Sequence, residues 1–251
     1  MRVDLNCDMG ESFGAYTLGA DADILPFITS ANVAAGFHAG DPQVIDRTVA
    51  LAVKHGVALG AHPGFPDLVG FGRRAMSCTP AEVEALVLYQ IAAVAGFARA
   101  HGAALRHVKP HGALYNMAAQ DPELALAIAR GIARFDRDLT LVGLSGSHAM
   151  EQAAQATGLR FAAEAFADRA YNPDGTLVSR RLPGAVLTDP AQAATQAVQM
   201  AREQTVMAHD GTRVALAAET ICLHGDNPTA AANARAVRAA LEAARVKVIP
   251  L

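Results

Sequence analysis

Short apolar runs recur along the chain, separated by longer stretches in which apolar residues have helical spacing. Apolar runs that are too short for a helix and bounded by turn residues are typical of strands buried on both faces of a parallel sheet. The pattern predicts seven such strands, at residues 3–7, 30–34, 57–61, 105–109, 140–144, 160–164 and 220–223.

The helix starts are marked by a capping residue followed by proline. The cap oxygen satisfies free backbone amides, and proline lacks the amide that would have no partner there. Thr79 and Glu82 also have the spacing of a capping box, and His55-Gly56 and His101-Gly102 are typical of helix ends. The predicted starts are Asp41-Pro42, Thr79-Pro80, Asp121-Pro122, Asp189-Pro190 and Asn227-Pro228.

The alternation of strands and helices predicts an α/β fold in a single domain, residues 1–251. Seven strand–helix units fit a closed or nearly closed parallel barrel. A doubly wound open sheet is the alternative, but that fold usually carries a glycine-rich phosphate loop, which this sequence lacks. Asp210-Gly211 predicts a β-hairpin between residues 205–209 and 212–216, and Asp174-Gly175 predicts a second, smaller one.

Polar residues gather at the ends of the predicted strands. Residues two apart on a strand share a face, so Asp4, Asn6 and Asp8 are expected to point the same way. Because branched apolar side chains normally fill a barrel, polar side chains stacked toward one end predict its functional face. Three other strands show the same spacing. The residues that would share a face are His107, Lys109 and His111 if their strand stays extended, Glu164 and Asp168 on the next-to-last strand, and Thr220, Cys222, His224 and Asp226 on the last.

Several of these residues also have purely structural interpretations. Asp8 could cap the next segment, and His38 and His62 could be hydrogen-bonded core histidines, although the glycines nearby favour the close approach of a ligand. Lys109 ends an apolar strand and needs a carboxylate or a ligand, because an unpaired buried ammonium group is costly. An ion pair of Lys109 with Asp8 or Asp226 would meet that need.

Composition excludes several classes of function. The 251 residues are 52% hydrophobic with a net charge of -3, which gives no basic field for nucleic acid. No charge-free apolar stretch reaches the ~18 residues of a membrane span, and Asp4 stands where a signal peptide would begin its apolar segment. Cys7, Cys78 and Cys222 are far apart and odd in number, which favours reduced thiols and a cytoplasmic location.

Motifs for common chemistries are absent. The sequence has no Walker-type phosphate loop, nucleophile elbow or His-Glu-x-x-His metal motif. A metal ion held by Asp8 with His38 or His62 is feasible, because carboxylate plus imidazole suits zinc or manganese, but the spacing is loose. Arg73-Arg74 could bind a substrate carboxylate in bidentate fashion or hold their own loop.

A resemblance to a known family is carried by six segments in order along the chain. They are residues 4–11, 36–42, 60–67 with 70–74, 108–116, 167–171 and 222–228. Together they resemble the LamB/YcsF family, the A subunit of the bacterial ATP-dependent 5-oxoprolinase. The resemblance implies an irregular seven-stranded, TIM-like (β/α) barrel of the glycoside hydrolase/deacetylase type. It also implies opening of 5-oxo-L-proline to L-glutamate, coupled to ATP hydrolysis, in a complex with two other subunits.

Strand-end placement and the resemblance together assign candidate roles. Asp8 is predicted to activate water, oriented by His38 or His62, while Lys109 and His111 stabilise negative charge on the phosphorylated oxygen or tetrahedral intermediate. His224 and Asp226 would close the pocket opposite Asp8. The full set of predicted substrate-binding residues is Asn6, Glu11, Asn32, Arg73, Glu164, Asp168, His224 and Asp226.

Two other functions stay open at this point. A stand-alone metal-dependent amidase or deacetylase would use Asp8 and His38 or His62 as ligands, and a non-catalytic subunit would only hold the lactam for a partner. ATP is predicted to be a co-substrate bound mainly by the partner subunits, and self-association is left open. The substrate is expected to be 5-oxo-L-proline, with a related lactam or cyclic urea as the alternative.

Overall fold

The computed structural model describes residues 1–225 and 229–251. A 3-10 turn at Leu25–Phe27 follows the first short helix. The elements are β1 (Arg2–Met9), α1 (Asp21–Ile24), β2 (Ser30–Ala34), α2 (Pro42–Lys54), β3 (Ala58–His62), α3 (Pro80–Ala100), β4 (Leu105–Val108), α4 (Gly112–Ala118), α5 (Pro122–Phe135), β5 (Thr140–Leu144), α6 (His148–Thr157), β6 (Arg160–Phe166), α7 (Pro190–Glu203), β7 (Thr205–Met207), β8 (Arg213–Ala215), β9 (Thr220–His224), α8 (Ala230–Ala243) and β10 (Lys247–Val248).

Seven of the described strands close into a parallel barrel in the order β1-β2-β3-β4-β5-β6-β9. Closure follows because β9 pairs with β6 on one side and with β1 on the other. The barrel prediction is confirmed, and the doubly wound open sheet is wrong. The two-residue strand β10 pairs with the start of β1 and is too short to have given a sequence signal.

All seven predicted strands are present, with ends that differ from the predicted ones by at most two residues. Strand β4 stops at Val108, yet the chain continues extended beside β3: the Lys109 amide donates to Ala61 O at 3.0 Å, and the His111 amide donates to Pro63 O at 2.8 Å. This path keeps the side chains of Lys109 and His111 on the interior side, as predicted for an extended strand.

Four of the five predicted helix starts are confirmed. The carboxylates of Asp41, Asp121 and Asp189 accept hydrogen bonds from the first-turn amides of α2, α5 and α7. Thr79 and Glu82 form the predicted capping box at the start of α3. The fifth start, Asn227-Pro228, lies outside the described residues.

Both predicted hairpins are also found. Strands β7 and β8 pair antiparallel around Asp210-Gly211, and the turn at Asp174-Gly175 closes through an antiparallel bridge between Tyr171 and Leu177. The larger hairpin lies between α7 and β9, outside the barrel order, so it interrupts the strand–helix alternation without opening the barrel.

Among the described residues, α3 alone has the length and hydropathy of a membrane span. Its charge-free part lies between Glu84 and Arg99, and its buried face packs against the barrel and α5. Core helices of globular proteins commonly have this composition.

The apolar core lies between the strands and the surrounding helices, whereas the inside of the barrel is polar. Leu5 and Cys7 on β1 belong to the apolar core, and their neighbours Asp4, Asn6 and Asp8 are buried on the opposite, interior face. The predicted alternation of faces along this strand is therefore confirmed. Hydrogen bonds fill the barrel where apolar layers usually pack.

Gly60 on β3 is required by this polar interior. A Cβ atom added to Gly60 would lie 2.1 Å from His107 Nε2, so Gly60→Ala forces the buried imidazole out of place. We expect the free energy of unfolding to fall by about 1–3 kcal/mol, measured by urea denaturation. Gly96→Ala in α3 is the matched control, since nothing lies within 4 Å of the added atom and alanine favours the helix. Equal stability of the two variants would contradict this packing argument.

Candidate active site

A cavity of about 800 Å³ opens at the carboxyl ends of the barrel strands. This is the end at which (β/α) barrels build their sites, because the loops after the strands converge there. The cavity is lined among others by Asp8, Glu11, His62, Arg73, Lys109, His111, Tyr115, Phe166, Arg169 and His224.

The floor of the barrel is held by Asp4. Its carboxylate accepts hydrogen bonds from Thr29 and Ser30 hydroxyls, both at 2.7 Å, and from the Thr220 hydroxyl at 2.6 Å. Burial raises the pKa of Asp4, and these three hydrogen bonds oppose the rise. Asp4 thus joins three strands and lies below the residues that line the cavity.

A chain of amides connects this floor to the cavity. The Asn32 amide group donates to Asn6 Oδ1 at 2.7 Å and to Asp8 Oδ1 at 2.8 Å. Asn6 donates in turn to Glu164 Oε1 at 3.0 Å. His107 Nε2 lies 2.7 Å from Asn32 Oδ1 and must donate to it, and burial lowers the pKa of His107 to about 3, so the ring is neutral.

Asn6, Asn32 and Glu164 are therefore placed beneath the cavity and not along its lining. Their predicted contact with substrate stays a prediction. What the structure shows is that they fix the orientation of Asp8 and Lys109 above them.

Lys109 bridges two buried carboxylates. Its Nζ lies 2.8 Å from Asp8 Oδ1 and 3.0 Å from Glu164 Oε1, and it also lies 3.0 Å from Cys222 Sγ. Burial alone would lower the pKa of Lys109, but the two carboxylates raise it well above its ordinary value. The ion pair with Asp8 confirms one of the two partners that the sequence suggested, while Asp226 lies outside the described residues.

Asp8 is the carboxylate that reaches the cavity. Burial would raise its pKa, but His62 and Lys109 together hold the pKa of Asp8 well below its ordinary value. Its Oδ1 is occupied by Lys109 and Asn32, whereas Oδ2 lies 3.4 Å from His62 Nε2. Asp8 is thus an ionised, oriented carboxylate at the edge of the cavity.

Three histidines and Glu11 cluster beside Asp8. His62 and His111 face each other with ring nitrogens 3.0 Å apart, and His38 stacks on His111 with ring centroids 3.7 Å apart. Glu11 Oε1 lies 3.6 Å from both His38 Nε2 and His111 Nδ1. Of the two histidines predicted to orient Asp8, His62 lies beside its carboxylate, whereas His38 lies beside the carboxylate of Glu11. Imidazole and carboxylate donors at such separations are suited to holding a metal ion.

Asp168 holds His224, which lies beside Asp8 because the two residues are register partners on the paired strands β1 and β9. The prediction that His224 closes the pocket opposite Asp8 is therefore wrong. The Asp168 carboxylate lies 2.9 Å from His224 Nδ1 and accepts the His224 backbone amide at 3.0 Å, and the ring stacks on Phe166. Burial would raise the pKa of Asp168, but His224 lowers it. A carboxylate that orients an imidazole in this way is a common acid–base arrangement.

The adjacent arginines have different surroundings. Arg74 forms an ion pair with Asp67 and so holds its own loop, while Arg73 lies over the Phe71 ring and lines the cavity. The interpretation that this pair holds its own loop therefore applies to Arg74. Arg73 keeps its predicted role as a candidate for substrate binding.

Tyr115 and Arg169 line the cavity although sequence reasoning did not select them. Arg169 donates to the carbonyl oxygens of Ala185 and Val178, and burial lowers its pKa to about 10, which leaves it cationic at neutral pH. Burial, followed by the charge of Glu164, raises the pKa of the Tyr115 hydroxyl well above its ordinary value. The available signal was that Arg169 directly follows Asp168 and that Tyr115 lies one helical turn after His111.

Comparison with known proteins identifies relatives of this chain. The model of the LamB/YcsF family matches residues 3–251. The 5-oxoprolinase A subunit of Symbiobacterium thermophilum is 60% identical over 247 residues, which cover 98% of this chain and 94% of that protein.

Solved structures give the same result for the fold. The chain is similar to the lactam utilization protein from Thermus thermophilus, with a TM-score of 0.94, 52% identity and full coverage of both chains. The polysaccharide deacetylase Bc1974 from Bacillus cereus is similar in fold alone, with a TM-score of 0.51 and 11% identity over 100% of this chain and 91% of that one. The predicted deacetylase-type barrel is confirmed.

Proposed function

This chain belongs to the LamB/YcsF family, and from that premise we propose that it is the A subunit of an ATP-dependent 5-oxoprolinase. The reaction is the opening of the lactam of 5-oxo-L-proline to L-glutamate. The observation that carries the proposal is the cavity in which ionised Asp8, fixed by Lys109, lies beside the Asp168–His224 pair, with His224 on the neighbouring strand. This arrangement offers a base and a separate proton donor, which amide cleavage requires.

The need for ATP follows from the substrate. A five-membered lactam is a resonance-stabilised amide, and phosphorylation of its oxygen makes the ring carbon electrophilic. Water then adds to that carbon while Asp8 takes its proton. If the nitrogen is protonated next, the carbon–nitrogen bond breaks and leaves an acyl phosphate, which a second water hydrolyses to glutamate and inorganic phosphate.

His224 is suited to protonate the ring nitrogen. With Nδ1 bound to Asp168, its Nε2 is the nitrogen that can transfer a proton. Protonation of the nitrogen decides the outcome, since loss of phosphate from the unprotonated intermediate would only restore the lactam. Asp168 holds the Nδ1–H and stabilises the imidazolium form of His224, which is the form that carries a second hydrogen, on Nε2, for transfer.

Cationic side chains around the cavity suit an anionic substrate. Arg73, Arg169 and Arg180 line it, and guanidinium groups bind carboxylate and phosphate oxygens through paired hydrogen bonds. The predicted role of His111 in stabilising negative charge is not part of this proposal, because its Nε2–H is held by Phe71 O at 2.8 Å and its other ring nitrogen has no hydrogen to donate in the neutral ring. Lys109 supports the reaction by keeping Asp8 ionised, because its own ammonium group is shared by Asp8 and Glu164.

The proposal places phosphorylation on two partner subunits, because this sequence has no Walker-type loop. It also includes a cytoplasmic location for the complex. The free thiols of Cys7, Cys78 and Cys222 support that location, since cysteines stay reduced there.

The test is glutamate release from 5-oxo-L-proline, by this chain alone and with the two partner subunits, each with and without ATP. Activity that requires both the partners and ATP is the expected result. Activity of the chain alone without ATP would instead favour a stand-alone amidase that uses the histidine cluster to hold a metal. In that case a chelator would abolish the activity. Binding of 5-oxoproline without any effect of cavity variants on the chemical step would favour a non-catalytic lactam-binding subunit.

Asp168→Asn tests the proton donor. The asparagine keeps the shape but no longer holds a protonated Nδ1, so we expect kcat of the reconstituted complex to fall by about 10²–10⁴-fold with KM within a few-fold. Asp138→Asn, at an exposed turn before β5, serves as the control. A loss confined to KM would assign Asp168 and His224 to substrate binding instead.

A further inference from the structure

Four consecutive strand ends each bring one metal-ligand residue to the same point. Glu11 follows β1, His38 follows β2, His62 ends β3 and His111 follows β4. All four are buried, and each offers one ligand atom within 4.8 Å of the others. A donor set of three imidazoles and one carboxylate is chemically specific, because it matches borderline transition ions better than Mg²⁺ or Ca²⁺.

The tautomers of two of these rings follow from their backbone contacts. His62 Nδ1 lies 2.7 Å from Lys109 O, and His111 Nε2 lies 2.8 Å from Phe71 O. A carbonyl oxygen only accepts, so both of these nitrogens carry their hydrogens. When both rings are neutral, the nitrogens that face each other, His62 Nε2 and His111 Nδ1, both present lone pairs at 3.0 Å. A cation at this point converts their repulsion into attraction.

His38 provides an independent observation. Its ring is completely buried, and neither ring nitrogen has a hydrogen-bond partner among the described residues. Burial lowers the pKa of His38 and of His111 well below the ordinary value, so both rings keep a lone pair to donate. A buried imidazole with two unsatisfied nitrogens is rare in a folded protein, and a ligand at Nε2 would satisfy one of them.

We propose that Glu11, His38, His62 and His111 bind one divalent first-row transition-metal ion, with zinc as the best match. Donor atoms about 2.1 Å from a tetrahedral ion lie about 3.4 Å apart. The separations here are 3.0 Å from His62 Nε2 to His111 Nδ1, and 3.6 Å from Glu11 Oε1 to each of His38 Nε2 and His111 Nδ1. The backbone carbonyls of Lys109 and Phe71 orient two of the rings in the way that supporting contacts orient metal-bound histidines.

Two details define how the ion fits. The parallel stacking of His38 on His111 requires one ring to tilt before both can direct a lone pair at one ion. His38 can do so because no hydrogen bond fixes it among the described residues. The donor set also differs from the pair suggested by the sequence, since the carboxylate that groups with the three histidines is that of Glu11 and not that of Asp8.

The test measures metal and not turnover, so it can fail without affecting the proposed lactam reaction. The full chain is purified without chelator for elemental analysis, and metal-free protein is then titrated with Zn²⁺, Mn²⁺, Co²⁺ and Ni²⁺ by calorimetry. We expect about one ion per chain, and visible absorption bands of a four-coordinate site with Co²⁺.

Variants locate the ion. His38→Ala and Glu11→Gln are expected to weaken zinc binding by at least about 100-fold, whereas His148→Ala, at the exposed start of α6, leaves it unchanged. Circular dichroism of each metal-free variant checks the fold, and Glu11→Gln carries the test if His38→Ala does not fold. Wild-type protein that binds none of the four ions in stoichiometric amount overturns the proposal, and so do cluster variants with wild-type affinity.

Discussion

Asp8→Asn is expected to reduce glutamate release by the reconstituted complex by about 10²–10⁴-fold while the barrel remains folded. The amide cannot take a proton from water, yet it keeps the shape of the carboxylate and can still accept hydrogen bonds from Asn32 and Lys109. Lys109 also retains its ion pair with Glu164, so the substitution leaves the buried ammonium group paired.

The measurement is the rate of glutamate formation at saturating 5-oxo-L-proline and ATP, with circular dichroism to confirm folding. Asp138→Asn is the matched control because it makes the same chemical change at an exposed turn. Near-normal turnover by Asp8→Asn would remove Asp8 from the role of base and direct attention to His62 or Glu11.

Lys109→Met is expected to give the largest loss of stability, about 3–5 kcal/mol of the free energy of unfolding. The change removes the cation shared by Asp8 and Glu164 and leaves two buried carboxylates without it. Methionine replaces the apolar stem of Lys109 with a side chain of similar length, so the loss of stability comes mainly from the uncompensated charges. Urea denaturation of wild type and variant measures it.

A second substitution separates charge from packing. Adding Glu164→Gln to Lys109→Met removes one of the two uncompensated carboxylates, so part of the stability should return. Lys54→Met, at the exposed end of α2, is the control and should change stability little. No recovery in the double variant would mean that lost packing, and not charge, causes the effect.

The sequence predicted the barrel well because its strands are long enough to show their apolar character. Strands buried on both faces gave continuous apolar runs, and a capping residue with proline marked four described helix starts. Strand β10, with two residues, and helix α1, with four, are too short to show a period, so pattern reasoning missed them.

Which residues lie at the candidate site could also be predicted, but which of their side chains contact each other could be predicted only in part. Strand alternation placed Asp8 and Lys109 on the barrel interior, which made their ion pair foreseeable. The position of His38 could not be foreseen, because the loop after β2 turns at two glycines with left-handed backbone angles. These are Gly36 with φ 99° and Gly40 with φ 79°. Such turns direct the His38 ring to Glu11, and spacing along the sequence carries no record of that direction.

The closure of the barrel through β1 and β9 also has a consequence for folding. The hydrogen bond between Thr220 and Asp4 joins residues 216 positions apart, and β1 is made first during synthesis while β9 is made nearly last. One edge of β1 must therefore wait unpaired until almost the whole chain has left the ribosome. Contacts this distant in sequence slow folding, and an open strand edge invites association with other chains. Barrel closure is thus the step at which we expect newly made chains to depend most on chaperones.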